Sequence, residues 1–165
     1  MLTSLSIRDV VLIEALDLSF HDGFTALTGE TGAGKSILLD SLGLAMGERA
    51  NAGLVRAGAA EARVSACFEA PAGHAVFTLL SEQGMPADTT DPIVLRRVIS
   101  REGRSRAWVN DQPVGLALLR GIATSLIESQ GQHEQMGLAD PATHRGLLDA
   151  SNIPTALTDS VSAAF

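Results

Sequence analysis

Residues 29–36 read Gly29-Glu30-Thr31-Gly32-Ala33-Gly34-Lys35-Ser36. This segment fits the pattern G-x-x-x-x-G-K-[ST] at every fixed position, the pattern of a loop whose backbone amides and lysine bind phosphate groups. Lys35 is the one lysine in the chain, and the other eleven basic residues are arginines. An ammonium is a compact charge on a flexible stem, whereas a guanidinium is a planar fork, so lysine suits this position. The segment predicts that the chain binds a nucleoside triphosphate.

The residues on either side of this loop predict a strand before it and a helix after it. Residues 23–28 (GFTALT) form a short apolar run of β-prone composition that enters the loop directly. After Gly34, apolar residues recur at helical spacing: Ile37, Leu38, Leu42, Ala45 and Met46. Strand, glycine loop and helix together direct backbone amides and a helix N-terminus toward phosphates. We therefore expect the Ser36 hydroxyl to be a ligand of the Mg²⁺ that accompanies the nucleotide.

Composition restricts the class of protein. The 165 residues are 45% hydrophobic, which is enough for one core and excludes wholesale disorder. A net charge of −7 argues against nucleic-acid binding by bulk electrostatics. No apolar run approaches the roughly 20 residues of a membrane span, and the first residues lack the pattern of a secretory signal. With the single cysteine Cys67, no intrachain disulfide is possible, so the chain reads as cytoplasmic.

The order of the predicted elements is informative because two strands precede the loop. Residues 2–9 and 15–20 are predicted strands, with a turn at 21–23 leading to the third strand. The rest of the chain is predicted as a loop at 47–62, a strand at 63–70, a helix at 74–84, a loop at 85–92, a hairpin formed by 93–100 and 105–110, a helix at 114–124 and a helical tail after Pro141. A leading antiparallel unit is typical of ABC-type ATPase heads.

One part of an ATPase is absent from the sequence. Hydrolysis also needs a carboxylate at the end of an apolar strand, to hold Mg²⁺ and position water. The nearest runs, ending at Glu128 and Asp149, are each too short to be that strand, and Asp40 lies on the helix after the loop. No LSGG-like signature is present either. The phosphate loop is therefore expected to belong to half of an ATPase: either the chain is cut from a longer protein, or the second half is supplied by another polypeptide segment.

Four segments in the same order closely resemble the N-terminal ATPase head of the RecN family, bacterial SMC-like proteins of DNA double-strand-break repair. They are LSIRDVVLIEALDLSF, LTGETGAGKSILLDSLGL, GRSRAWVNDQPV and GQHEQ, and they span nearly the whole chain. The resemblance implies a head split in sequence, with a long coiled coil between an N-terminal half and a C-terminal half that carries the signature, Walker B and switch residues. Truncation at Phe165 would then fall where the coiled coil begins.

The resemblance assigns roles to residues outside the phosphate loop. Gln132, in GQHEQ, would be the Q-loop glutamine that contacts Mg²⁺ and the attacking water, and it joins Lys35 as a catalytic candidate. Gln130 is the alternative, since SMC-type heads often place Gln directly before Gly. Arg56, in LVRAG, stands where SMC-type heads carry an arginine near nucleotide or DNA, and a plain surface arginine is the alternative reading.

These observations predict an α/β fold, the N-terminal lobe of an ABC/SMC-type P-loop ATPase head, with a mixed sheet and a leading antiparallel unit. Residues 1–150 would form the head half, and 151–165 the start of a coiled-coil arm. ATP and Mg²⁺ are the expected cofactors. The expected partners are the C-terminal half of the same head, a second head in a homodimer and double-stranded DNA, with no membrane, in a cytoplasmic, nucleoid-associated protein. The chain alone is expected to be inactive.

Two alternative functions stay open at this point: a small-molecule kinase, and a non-catalytic interaction fragment that binds nucleotide weakly and mainly supports the coiled coil. A free-standing P-loop kinase for a small metabolite would have a similar size, although it would not need the leading strands or the Q-loop segment. A separate question concerns the role of an arginine cluster within eleven residues, composed of Arg96, Arg97, Arg101, Arg104 and Arg106. Such a cluster is most often solvated or paired with the chain's own acids, and contact with the DNA backbone is the alternative.

Overall fold

The computed structural model describes residues 1–29, 34–85 and 87–127. The strands are β1 (Leu2–Val10), β2 (Ile13–Ser19), β3 (Glu61–Phe68), β4 (Ile93–Ser100), β5 (Ser105–Val109) and β6 (Gln112–Val114). The helices are α1 (Lys35–Ala45), α2 (Ala75–Glu82) and α3 (Leu116–Leu126), and a 3₁₀ turn covers Ala52–Leu54.

The six described strands form one sheet in the order β2-β1-β3-β4-β5-β6, and every neighbouring pair is antiparallel. The leading antiparallel unit predicted from the sequence is therefore confirmed as β1 and β2. Among the described residues, the expected mixed sheet shows antiparallel pairs only. The predicted hairpin at 93–110 is also confirmed, with Arg96 opposite Trp108 and Arg97 opposite Ala107.

One face of the sheet is the core. Buried side chains alternate along the strands, as in Ala62, Val64, Ala66 and Phe68 of β3, which is the period-two pattern of a sheet with one covered face. Helix α1 packs against β1, β3 and β4, while α3 packs against β5 and α2. The packing of α1 connects the phosphate loop to the centre of the sheet.

A tight turn at Val11 and Leu12 joins β1 to β2. Asp9 and Val11 have positive φ angles, 54° and 50°, a region that a β-branched residue such as valine rarely adopts. The segment after the 3₁₀ turn runs beside this turn: the Val11 amide donates to the Leu54 carbonyl at 2.9 Å, and the Arg56 amide donates to the Asp9 carbonyl at 2.8 Å. These backbone bonds place Arg56 beside the β1–β2 hairpin.

Two predictions near the ends of the sheet are wrong. Residues 23–28, predicted as a strand, are not in a strand and are exposed. A strand needs a neighbour for its backbone groups, and the described sheet does not extend to this segment. The predicted helix at 114–124 begins two residues later, at Leu116, because Gln112–Val114 instead pairs with β5 through a two-residue turn at Asn110 and Asp111. Asn110 has a φ of 52° there, a conformation that asparagine tolerates.

Several other expectations lie outside the described residues: the helical tail after Pro141, the boundary at residue 150 and the start of an arm at 151–165. Within the described residues, the structure contains no helix of the length and apolarity that a bilayer span requires.

Candidate nucleotide-binding site

The N-terminus of α1 is open to an anion. Helix α1 begins at Lys35, and the residue before it, Gly34, has a φ of 90°, which glycine adopts without the cost that a side chain would add. Among the described residues, no side chain caps this N-terminus, and the first turn has no acidic residue. The first amides of a helix lack intrahelical partners and carry a partial positive charge. The start of α1 therefore directs backbone donors toward the place where the sequence puts the phosphate loop.

Lys35 bridges the two described ends of the loop. Its Nζ donates a hydrogen bond to the carbonyl of Gly29, so the ammonium lies between the residue that opens the motif and the helix that closes it. Ser36, next on α1, is exposed. Glu30, Thr31, Gly32 and Ala33 lie outside the described residues. Of the motif, the structure thus describes Gly29, Gly34, Lys35 and Ser36, and it brings all four to the start of α1.

Magnesium would find an oxygen ligand at the Ser36 hydroxyl. Mg²⁺ is a hard cation that takes oxygen ligands and keeps several waters, with phosphates and one or two protein groups completing its shell. The exposed Ser36 hydroxyl at the start of α1 is an oxygen of the kind that Mg²⁺ takes, and its role as a ligand stays a prediction. Among the described residues, no group of three or more His, Cys, Asp or Glu side chains could hold a metal by itself.

The C-terminal half of α1 has local contacts and a hydrogen bond from another element. The Ser41 hydroxyl is fully buried and donates to the Ile37 carbonyl at 2.6 Å. The carboxylate of Glu48 lies against Gly43, where a β-carbon would come within 2.3 Å of it. Arg120 of α3 donates from Nε to the Gly47 carbonyl at 2.7 Å. The sequence does not signal this last contact, because the two residues are 73 positions apart.

Arg56 lies in an acidic setting. Its guanidinium is 2.9 Å from the Glu14 carboxylate and 3.6 Å from that of Asp9, and its side chain is about one-third exposed. Both acids belong to the β1–β2 hairpin. The role of Arg56 near nucleotide or DNA stays a prediction. Gln130 and Gln132 lie outside the described residues, so their Q-loop roles also stay predictions.

The arginine cluster divides between the two faces of the sheet. On the outer face, Arg96 lies over the Trp108 ring at 4.9 Å from its centroid and Arg106 at 5.6 Å, within the range of cation–π interactions. Glu61 pairs with Arg106 at 3.5 Å and with Arg63 at 3.1 Å. The charge of this face is thus partly balanced by the chain's own groups.

Arg97 faces the core instead. It is 2% exposed, and its Nε donates to the Ser105 hydroxyl at 2.5 Å. Burial lowers the pKa of its guanidinium, and the nearby charge of Arg120 lowers it further. The sequence presents Arg97 as one member of the arginine cluster, and its burial was not predicted. The alternation along β4 places it with Leu95 and Ile99 on the buried face.

Comparisons with known proteins agree with this architecture. The AAA domain family matches residues 4–78. A solved structure described as "Structural biochemistry of ATP-driven dimerization and DNA stimulated activation of SMC ATPases" is 25% identical, covers 90% of this chain and 97% of its own, and superposes with a TM-score of 0.62. The SMC head domain from Thermotoga maritima is 23% identical over 73% of this chain and 41% of its own, with a TM-score of 0.54. The described fold is therefore that of an ABC/SMC-type P-loop ATPase head, in its N-terminal lobe.

Proteins similar in sequence point to a narrower family than the solved structures do. DNA repair protein RecN of Xylella fastidiosa (strain 9a5c) is 41% identical over 150 residues, covering 91% of this chain and 27% of the relative. RecN of Bacillus subtilis (strain 168) is 43% identical over 150 residues, covering 90% of this chain and 26% of the relative. The resemblance to the RecN family is confirmed. The chain spans about a quarter of the length of the curated relatives it matches.

Proposed function

We propose that this chain is the ATP-binding segment of a DNA repair and recombination protein, in which paired heads bind and hydrolyse ATP to gate the tethering of DNA at double-strand breaks. The observation that carries the proposal is the start of α1, where the left-handed Gly34 precedes Lys35 and Ser36, in a chain about 40% identical to RecN proteins. None of the comparisons favours a small-metabolite kinase, the alternative left by the sequence.

Each residue at the start of α1 has a distinct task in this proposal. The Lys35 ammonium offsets the charge of the β- and γ-phosphates, and the glycines allow the backbone amides to approach the phosphate oxygens. The Ser36 hydroxyl ligates Mg²⁺, which neutralises charge on the same oxygens. Gln132 orients the attacking water and contacts the ion, with Gln130 as the rival for that role. Lys35 and Gln132 are therefore the proposed catalytic residues.

The proposed partner closest to the site is the C-terminal half of the same head. Phe24 is 95% exposed and Leu27 is 47% exposed, in the apolar segment that leads into the phosphate loop. Large apolar side chains next to a ligand site are commonly covered by a partner. We propose that residues 1–150 form the N-terminal half of the head, that 151–165 begin the coiled-coil arm and that the C-terminal half covers this segment.

A second head and double-stranded DNA are the further proposed partners. An SMC structure of which this chain covers 97% is described in terms of ATP-driven dimerization and DNA-stimulated activation. We propose the same of the protein to which this chain contributes: two heads enclose ATP, each supplying a signature motif to the other's phosphate loop. A cytoplasmic, nucleoid-associated location follows from that role.

The split head is tested by ATP turnover of residues 1–165, alone and after adding the separately purified C-terminal half. The chain alone lacks the Walker B carboxylate, so we expect no turnover above background, and turnover should appear when the two halves are combined. A control mixture with Lys35→Ala should stay inactive. Turnover by residues 1–165 alone, or phosphoryl transfer to a small metabolite, would refute the split-head proposal.

A further inference from the structure

Helix α1 ends in a motif that a distant arginine completes. The Gly47 amide bonds to the Leu44 carbonyl at 3.1 Å, and the Glu48 amide bonds to the Gly43 carbonyl at 2.9 Å. Gly47 has a φ of 95°. This is the glycine-terminated ending common to helices. The Gly47 carbonyl, which points out of that ending, accepts from Nε of Arg120 at 2.7 Å.

The charge of Arg120 suits this position. A helix carries a partial negative charge at its C-terminus, and cations stabilise it there. The last turn of α1 has no basic residue of its own. Arg120 supplies that charge from α3. The same charge, in addition to burial, lowers the pKa of the Arg97 guanidinium. The Gly47 carbonyl gives Arg120 a hydrogen-bond acceptor at a helix end where a cation is favoured.

The contact is also steric. A β-carbon on Gly47 would lie 2.7 Å from Cγ of Arg120 and 3.4 Å from its backbone nitrogen. Gly47 is buried, so the stem and backbone of Arg120 lie directly against it. A side chain at residue 47 would therefore force Arg120 to shift.

We propose that Arg120 is a positioning residue for nucleotide binding, which holds the C-terminal end of α1 so that Lys35 and Ser36 at its other end keep their orientation toward the phosphates. An eleven-residue helix is about 16 Å long and behaves as a rigid rod. Releasing one end lets it tilt against the sheet, and the tilt moves the amides at the other end. This inference rests on the proposed function, since it concerns the same site.

The chain offers a matched control in Gly84. It ends α2 in the same motif, with the Gly84 amide bonded to the Ser81 carbonyl and the Met85 amide to the Leu80 carbonyl. Its φ is 71°, also in the left-handed region. A β-carbon on Gly84 would meet nothing within 4 Å. Alanine at Gly84 therefore carries a comparable backbone strain without displacing Arg120.

The experiment measures MgATP affinity and thermal unfolding for variants of the full-length protein. We expect Arg120→Ala and Gly47→Ala each to weaken MgATP binding by roughly threefold to tenfold, the effect of losing part of one charge-assisted hydrogen bond. Gly84→Ala should lower the unfolding temperature as Gly47→Ala does, with MgATP affinity unchanged. Arg120→Lys, which keeps the charge, should recover part of the affinity.

Two results would overturn the inference. One is unchanged MgATP affinity in both Arg120→Ala and Gly47→Ala. The other is an equal loss of affinity in Gly84→Ala, which would show that general destabilisation is sufficient. If Arg120→Ala fails to fold, Gly47→Ala and Arg120→Lys decide the question. Lys35→Ala is measured in parallel. If Lys35→Ala binds MgATP as the unmodified protein does, the proposed function itself is wrong. If Lys35→Ala weakens MgATP binding but the Arg120 variants do not, only this inference is wrong.

Discussion

At the scale of single residues, Arg97 is the side chain that the described fold explains least. It is buried on the core face of β4, and its Nη1 has no hydrogen-bond partner among the described residues. A buried guanidinium without a counter-ion is costly, because its desolvation is not offset. Its one described side-chain hydrogen bond goes to Ser105, an exposed residue whose hydroxyl can bond to water instead.

We therefore predict that Arg97→Met does not destabilise the head. Methionine keeps the length of the stem and removes the charge, so unfolding free energy should be unchanged or raised by about 1 kcal/mol. Chemical denaturation of the full-length protein measures this, with Arg97→Ala as the control that leaves a cavity and should be clearly less stable. A loss above about 2 kcal/mol in Arg97→Met would mean that residues beyond those described supply a counter-ion.

Gln132 and Gln130 present a second question at this scale. If Gln132 orients the attacking water, its contacts matter most in the transition state, so Gln132→Ala should lower turnover far more than MgATP affinity. Gln130→Ala should have the smaller effect on turnover. Steady-state kinetics of the two variants in the full-length protein rank them directly. The opposite ranking would transfer the Q-loop role to Gln130.

At the scale of elements, the sequence predicts best where a pattern is local. The alternation in IVLRRVIS and the turn after it predict β4 as residues 93–100, which agrees with Ile93–Ser100 in the structure. The glycine loop and the helical spacing after it likewise predict α1. Local patterns determine these elements because each residue's neighbours along the chain supply the turn chemistry and the period of the buried face.

Prediction fails where an element depends on distant residues. Residues 23–28 have strand composition, but a strand also needs a neighbouring strand, which composition does not reveal. Gln112–Val114 is short and contains Pro113, so nothing in its composition marks it as a strand, and pairing with β5 decides its state. The contact of Arg120 with Gly47 likewise joins residues 73 positions apart. Only the assembled sheet and helices bring such groups together.

The hairpin of β4 and β5 is the element whose arginines could contact DNA. Arg106 lies over the Trp108 ring and forms an ion pair with Glu61. Beside the exposed Arg101 and Arg104 lies Glu102, whose carboxyl pKa is lowered chiefly by the Ser100 hydroxyl and to a smaller extent by these two arginines. Intramolecular partners of this kind favour the solvated interpretation of the cluster over contact with DNA.

We predict that replacing Arg101, Arg104 and Arg106 with Ser leaves duplex affinity of the full-length protein and its salt dependence unchanged. Each true phosphate contact would contribute about 0.9 to the slope of log affinity against log salt. Binding measured at several salt concentrations reads this slope directly, with MgATP affinity as the control for folding. A slope that flattens by about 0.9 for each arginine removed would place DNA on the hairpin instead.

At the scale of the whole molecule, the central proposal is that this acidic chain binds a nucleoside triphosphate through a single lysine. The described residues support it with an uncapped helix N-terminus, Lys35 hydrogen-bonded across the loop to Gly29, and a sheet that anchors α1. The resemblance to RecN extends over nine tenths of the chain, while the chain spans about a quarter of those relatives. Nucleotide binding is therefore the property from which every further proposal follows.

The most direct test is the MgATP affinity of the full-length protein with Lys35→Ala. Alanine removes the ammonium without disturbing the glycine backbone, so affinity should fall at least tenfold, about 1.4 kcal/mol or more, while the fold survives. Lys35→Arg should also bind more weakly, because a planar fork does not fit a site built for a compact charge. Arg49→Ala, an exposed basic residue just beyond α1, is the control and should bind as the unmodified protein does. Equal affinity for Lys35→Ala and Arg49→Ala would contradict the account.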